Sequence, residues 1–253
     1  MMNSIKKNRL YDEFADLWPL VSAPEDYKIE AAYWRDALHA KLGPGKHEFL
    51  ELGVGGGNNL SHLTGDFQAT AVDISEKMLA VSRALNPNVT HHVGDMRNIR
   101  LNRKFKAVII HDSISYMTSE EDLLATFNTA KAHLEKDGVL LVAPDWYIET
   151  FNGPEVSHNV RKNSNIELTF IEYLHDPDPS DSTIEGVFFY LMKDGKNLRI
   201  EQDLHIFGLF TLQTWTNLLN KAGFRVEKWP HPVHSDQKRA YLLVGILENS
   251  KNT

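Results

Sequence analysis

From residue 49 to residue 143 the chain alternates short apolar runs with stretches whose apolar residues recur every three or four positions. The runs at 49–52, 69–72, 89–93, 107–110 and 139–143 predict five strands, most of them solidly apolar and so buried on both faces. Between them, 58–63 and 75–85 read as helices. Ser119 caps a third, with Asp122 completing a variant of the capping box. Leu124, Phe127, Ala130 and Leu134 supply the apolar stripe of that third helix, and Asp137-Gly138 turns the chain into the fifth strand. Upstream, Tyr11, Phe14, Leu17 and Trp18 fit a short amphipathic helix. Pro24 opens another that runs to about Leu42 and stops at Gly43-Pro44-Gly45.

The rhythm breaks after Pro144. Leu198, Ile200, Leu204 and Ile206 alternate with Arg199, Glu201, Asp203 and His205, which predicts a strand with those charged residues on a wet face. Asp194-Gly195 predicts a hairpin joining it to a strand at 187–192, and the turn at 176–181 separates a further strand at 168–174. Helical periodicity returns with Leu212, Trp215, Leu218, Leu219 and Ala222, closed by Gly223, before strands at 225–229 and 240–247. The expectation is an α/β fold: a doubly wound, Rossmann-like, mostly parallel seven-stranded sheet with an antiparallel β insertion. Residues 1–145 and 211–253 would form the main domain, and 146–210 the insertion that shapes an acceptor pocket or lid.

Composition narrows the functional classes. The 253 residues include 27 Lys and Arg against 34 Asp and Glu, a net charge of -7, which argues against a dedicated nucleic-acid binder. No apolar stretch approaches a membrane span, and residues 1–10 carry no secretory apolar segment, so a cytoplasmic location is expected. Without cysteine there are no disulfides, thiolate metal sites or cysteine nucleophiles. Twelve histidines invite a metal, but neither His91-His92 nor His231-x-x-His234 has an established ligand spacing, and no metal is expected.

The chemistry-bearing stretch is Phe49-Leu50-Glu51-Leu52-Gly53-Val54-Gly55-Gly56-Gly57-Asn58-Asn59. A strand enters a glycine-rich turn that opens a helix, a geometry that brings backbone N–H groups close to a ligand. The spacing Glu51-x-Gly53-x-Gly55-x-Gly57 puts Asn58 where a dinucleotide fold wants its third glycine, and no Walker lysine follows. Asp73, at the end of the second strand, can accept from both hydroxyls of a ribose, a role common to NAD and S-adenosylmethionine sites.

With Ala71-Val-Asp73-Ile-Ser75, Gly94-Asp95-Met96 and His111-Asp112-Ser113 added, the chain resembles class I S-adenosylmethionine-dependent methyltransferases. Gly94-Asp-Met-Arg97, Pro144-Asp-Trp146 and Asp203-Leu-His-Ile-Phe-Gly-Leu-Phe210 resemble most the N,N-dimethyltransferases of nucleotide-linked 3-amino sugars, whose corner more often reads Glu-Pro-Trp. The resemblance implies S-adenosyl-L-methionine as cofactor. Glu51, Gly53, Gly55 and Gly57 would hold its methionine part and Asp73 its ribose, with Ile74 and Met78 beside it. Asp95 would take the adenine amine, Met96 would pack on the ring, and His111, Asp112 and Ser113 would line the sulfonium side. Tyr11, Trp18 and Tyr27 would close over the cofactor.

Methyl transfer needs chiefly positioning and an acceptor with a free lone pair. His111, Asp112 and Tyr11 are the candidate bases, and His158, Arg161, Tyr173, His205 and Phe207 the candidates for the acceptor pocket. The basic stretch Arg97, Arg100, Arg103, Lys104 and Lys106 reads as a solvated connection. The partner is then a small-molecule acceptor, with no nucleic acid and no membrane, and a homodimer is left open. An NAD-dependent oxidoreductase, a non-catalytic module that keeps the fold, and a methyltransferase for a hydroxyl or RNA are the alternatives. Asp73→Ala is expected to weaken S-adenosylmethionine binding by about 1–3 kcal/mol in titration calorimetry. An unchanged Kd would remove Asp73 from the site.

Overall fold

The computed structural model describes residues 5–231 and 241–248. The five strands expected before the break form: β1 (Glu48–Leu52), β2 (Gln68–Asp73), β3 (Thr90–Val93), β4 (Phe105–Ile110) and β5 (Leu134–Val142). The last two strands, β10 (Phe224–Pro230) and β11 (Tyr241–Leu247), complete a seven-stranded sheet of order β10-β11-β5-β4-β1-β2-β3. β1 through β5 pair in parallel, while β11 runs antiparallel to both β5 and β10. This is the expected doubly wound sheet. Ala240, predicted to open the last strand, and His234 lie outside the described residues.

Two helical layers cover the sheet. On one face lie α5 (Glu120–His133) and α6 (Leu212–Ala222), whose Phe127 and Trp215 reach a core with Leu50, Val108, Leu140 and Phe224. On the other, α2 (Lys28–Leu42) and α3 (Asn58–Ser61) bury Trp34, Leu38 and Leu60 against Phe49, Ile109 and Val244, and α4 (Glu76–Leu85) adds Leu79. Burial from both sides is why the central runs 107–110 of β4 and 139–142 of β5 are solidly apolar.

The insertion is a four-stranded antiparallel meander: β6 (Glu155–Lys162), β7 (Glu167–His175), β8 (Thr183–Asp194) and β9 (Asn197–Gly208). The Asp194-Gly195 hairpin stands as expected, with Asp194 opposite Asn197 and Gly195 at φ +56°. The mixed β6 sequence gave no apolar signal and was not predicted. A third core lies between this sheet and the N-terminal segment, where Leu10, Phe14, Leu20 and Val21 meet Phe170, Phe188, Tyr190 and Phe207. That segment is not one amphipathic helix. It is two 3-10 turns, Arg9–Tyr11 and Ala15–Leu17, followed by the single-turn α1 (Trp18–Val21).

Three local expectations are corrected. The dry face of β9 is the polar one: Asp203 and His205 are fully buried, whereas Leu198 and Ile200 are 59% and 61% exposed. The pair can be buried because His205 Nε2 meets Asp203 Oδ2 at 2.9 Å and His205 Nδ1 meets the Tyr116 hydroxyl at 2.7 Å, something alternation alone cannot reveal. Ser119 does cap α5, accepting from the Asp122 N–H at 3.1 Å, but the Asp122 carboxylate goes to Arg97 and the capping box is half formed. Leu134 begins β5 instead of extending the α5 stripe. The register shift between Phe105 and Ala107 and the positive φ of Asp137 (+59°) mark a bulge where a simple turn was expected.

Trp215→Ala is expected to cost about 3–5 kcal/mol, because the 1%-exposed indole fills the space between Phe127 and Phe210. The urea midpoint of unfolding reads it directly.

Candidate active site

The site is built on the bend that follows β1. Gly53, Gly55 and Gly57 hold φ of +76°, +53° and +75°, so the alternating glycines are demanded by the backbone. A side chain at Gly53 would run into Ser113 and Met96, one at Gly56 into Trp18, and one at Gly57 into Ser82 and Asn86 of the neighbouring helix region. Gly53 and Val54 both donate to the Val72 carbonyl, at 2.8 and 3.0 Å. Asp73 accepts from the Gly55 N–H at 2.7 Å and from the Ser75 N–H at 2.8 Å. Asp73 is therefore a brace for the bend as well as a ribose candidate, and burial raises its pKa.

A cleft of about 900 Å³ opens over this bend, at the carboxyl ends of β1, β2 and β4, where the strand order reverses. Its floor holds Glu51, Gly53, Gly55, Asp73, Ile74, Asp95, Met96, His111, Asp112 and Ser113. Tyr11, Trp18 and Tyr27 form its N-terminal side. Gly57 and Met78 stand back from the lining. Gly57 packs against α4, and the fully buried Met78 supports Gly55 from behind. Of the acceptor-pocket candidates only Phe207 lines the cleft. His158 is exposed, Arg161 is spent on Asp26 and the Val21 carbonyl, Tyr173 stacks on His175, and His205 is buried beneath the surface.

Several lining residues were missed by sequence reasoning. Asp145, Glu172 and Tyr116 line the wall that faces the insertion. Asn59 is 4% exposed and both of its amide atoms lack a partner, as do Glu51 Oε2 and the Trp18 indole N–H. An asparagine two positions past the last glycine of the bend was the available signal for Asn59, and it was read only as helix start.

His111, one of the candidate bases, is clamped between carboxylates. Its Nε2 lies 2.8 Å from Glu30 and its Nδ1 3.0 Å from Asp112, while His231 lies 3.4 Å from the same Glu30 oxygen. Burial alone would lower the His111 pKa, but the two carboxylates outweigh it and raise it well above the usual imidazole value. A carboxylate facing each ring nitrogen favours the protonated ring. Asp145 and Glu172 are both pushed above the usual carboxylate range, chiefly by burial, with Asp112 adding repulsion at each. Arg97 holds Asp95 below that range through contacts as short as 2.6 Å.

Residues 49–138 match the family described as a methyltransferase domain. The dTDP-3-amino-3,4,6-trideoxy-alpha-D-glucopyranose N,N-dimethyltransferase of Streptomyces venezuelae is 33% identical over 219 residues, covering 85% of this chain and 91% of that protein. The crystal structure of Streptomyces venezuelae DesVI superposes with a TM-score of 0.77 at 30% identity, over 88% of this chain and 92% of that one. CalS10, an amino pentose methyltransferase from Micromonospora echinaspora solved with S-adenosylmethionine bound, shares the fold at a TM-score of 0.75 and 21% identity, over 88% and 92%. The chain belongs to the S-adenosylmethionine-dependent methyltransferases.

For this methyltransferase the nicotinamide alternative falls away, and S-adenosylmethionine is the cofactor. The residues fit it. Glu51 is a buried carboxylate with one unpartnered oxygen, its pKa pushed up to about 8, chiefly by burial. A bound ammonium is what such a group lacks, and the orphaned Trp18 N–H and Asn59 amide suit the remaining polar atoms of an amino-acid end.

The His111 clamp predicts a pH signature. Its raised pKa means its stabilising contribution is complete below about pH 6.5, the unfolded value, and is lost as pH rises through the folded value. The stability gap between the wild type and His111→Asn should therefore narrow on the alkaline side. Glu30→Gln should cost on the order of 3 kcal/mol at neutral pH, measured by chemical unfolding.

Proposed function

We propose that the protein methylates the amino group of a nucleotide-linked amino sugar, twice, to give the N,N-dimethylamine. The observation that carries this reading is the carboxyl lining of the acceptor wall. Asp112, Asp145 and Glu172 face the cleft there, and the insertion's own lining residues, Trp146, Glu172, Phe188, Ile206 and Phe207, include no cation among the described residues. Such a wall suits the ammonium end of the acceptor. The name of the Streptomyces venezuelae relative supports the same substrate class.

In this reading Glu51, Asn59, Trp18 and the bend from Gly53 to Gly57 hold the methionine end of the cofactor. Asp73 takes the ribose hydroxyls. Asp95 accepts from the adenine amine, with Met96 and Ile74 against the ring, and Met78 and Ser113 back the floor. Tyr27 and the His111–Asp112 pair close the sulfonium side. Bound there, S-adenosylmethionine supplies an electrophilic methyl group to a neutral amine, with the C–S electron pair remaining on sulfur. The chain's work is to hold the two reactants in line, exclude water and receive the proton that the ammonium must lose. Asp112 and Tyr11 remain as lining groups with lone pairs.

A small molecule is the partner in this reading. RNA is disfavoured because the basic stretch is largely neutralised: Arg97 pairs with Asp95 and Asp122, Arg103 with Glu48 and Lys106 with Glu135. Among the described residues no helix is long and apolar enough to cross a membrane. Residence in the cytoplasm and assembly as a homodimer complete the reading as expectations.

The test is mass spectrometry after incubation with S-adenosylmethionine and dTDP-3-amino-3,6-dideoxyglucose, beside the sugar that bears a 3-hydroxyl. Addition of two methyl groups to the amine and none to the hydroxyl sugar is expected; the reverse pattern would falsify the reading. Asp145→Asn should raise the KM for the amine on the order of tenfold while leaving S-adenosylmethionine binding in place.

A further inference from the structure

Four side chains run from the cleft into the insertion as one hydrogen-bonded file. The Tyr11 hydroxyl lies 2.8 Å from that of Tyr116, which lies 2.7 Å from His205 Nδ1. His205 Nε2 lies 2.9 Å from Asp203 Oδ2, and the same oxygen accepts the Leu10 N–H at 2.7 Å. Tyr11 and Tyr116 line the cleft, while His205 and Asp203 have no exposed surface. Phe188 stacks on the imidazole at 4.0 Å and Phe207 lies parallel to it at 6.0 Å, insulating it from water.

The carboxylate at the end sets the direction of every bond. Asp203 accepts, so His205 Nε2 donates and Nδ1 presents a lone pair. Tyr116 must then donate to Nδ1 and, having spent its only proton, accept from Tyr11. Tyr11 likewise spends its proton inward and turns a lone pair toward the cleft. Burial raises the pKa of both phenols well above the usual value, so both stay protonated and the order holds.

We propose that Asp203 and His205, acting through Tyr116, are positioning residues that make the Tyr11 oxygen the proton acceptor for the substrate ammonium. This rests on the amine reading above. The ammonium N–H bond breaks and its proton joins the Tyr11 oxygen. The Tyr11 proton moves to Tyr116, and the Tyr116 proton to His205 Nδ1. The nitrogen keeps the N–H electron pair as the lone pair that attacks. His205 becomes an imidazolium held by Asp203, and the file resets by the reverse shift to water once product has left. Each of two methylations uses the file once. A lone pair at Tyr11 also favours an acceptor that brings N–H bonds. The charged and titratable groups facing the file are Asp112 and Glu172 at Tyr116, Asp112, Asp73 and Tyr27 at Tyr11, and Tyr190 with Arg9 behind it at Asp203.

Two measurements test the proposal. The first needs no substrate: ring-nitrogen NMR of the whole protein should show His205 as the Nε2–H tautomer, its Nδ1 shift moving in Tyr116→Phe. An Nδ1–H tautomer would reverse the file and overturn it. The second is the pH profile of kcat with dTDP-3-amino-3,6-dideoxyglucose. Tyr116→Phe, which keeps the ring, and Asp203→Asn should lose about a hundredfold at pH 7 and recover as pH rises and free amine accumulates, with calorimetric S-adenosylmethionine affinity unchanged. A loss equal at every pH, or no loss, overturns the file. Wild-type enzyme that binds S-adenosylmethionine but methylates no amine defeats the functional reading and the file together. Wild-type turnover with indifferent variants removes the file alone.

Discussion

The Asp73 carboxylate, gripping the Gly55 and Ser75 N–H groups at once, is the contact on which the site depends. It pins the end of β2 to the bend that follows β1, while the Val72 carbonyl holds the first two residues of that bend. Three glycines at positive φ make the bend tight enough to be reached. Because β4 lies on the other side of β1 from β2, the chain beyond the bend diverges and a crevice is left above it. The cleft is thus a product of strand order and one bracing acid more than of any loop.

That crevice is short of positive charge. Burial pushes Glu51, Asp73, Asp145 and Glu172 all upward in pKa, which means each is paying for desolvation without a sufficient counter-ion. Of the basic groups that line it, Arg97 is paired with Asp95 and Asp122, Lys77 with Asp12, and His111 is divided between Glu30 and Asp112. A sulfonium, an α-ammonium and an amine substrate each bring the missing sign. Electrostatics so arranged select ligands by charge before any shape is compared.

Much of this was legible in residues whose roles are local. The glycine spacing, the strand-end Asp73 and the solid runs of β1, β2 and β4 speak through the backbone and through burial, which single residues announce. What escaped depends on partners far away in the chain. Asp203 and His205 read as a wet face because nothing nearby says that Tyr116 and the Leu10 N–H meet them. The clamp on His111 was hidden because Glu30 sits on α2, far earlier in the chain. Arg161 looked available for the acceptor pocket because Asp26 lies 135 positions away. β6 was silent because an edge strand with mixed faces has no apolar period to show.

The N-terminal side of the cleft is stitched to the far end of the chain. Asn8 and Lys6 exchange backbone hydrogen bonds with Leu204, Leu10 donates to Asp203, and Arg9 pairs with Glu201. During synthesis on the ribosome those first residues emerge long before their docking strand exists. The glycine bend and its parallel strands can assemble while Tyr11 and Trp18 still wait, and the pocket gains its final wall only when some two hundred residues have been translated. A nascent chain stalled short of β9 would therefore own a nucleoside-sized hollow with one side missing.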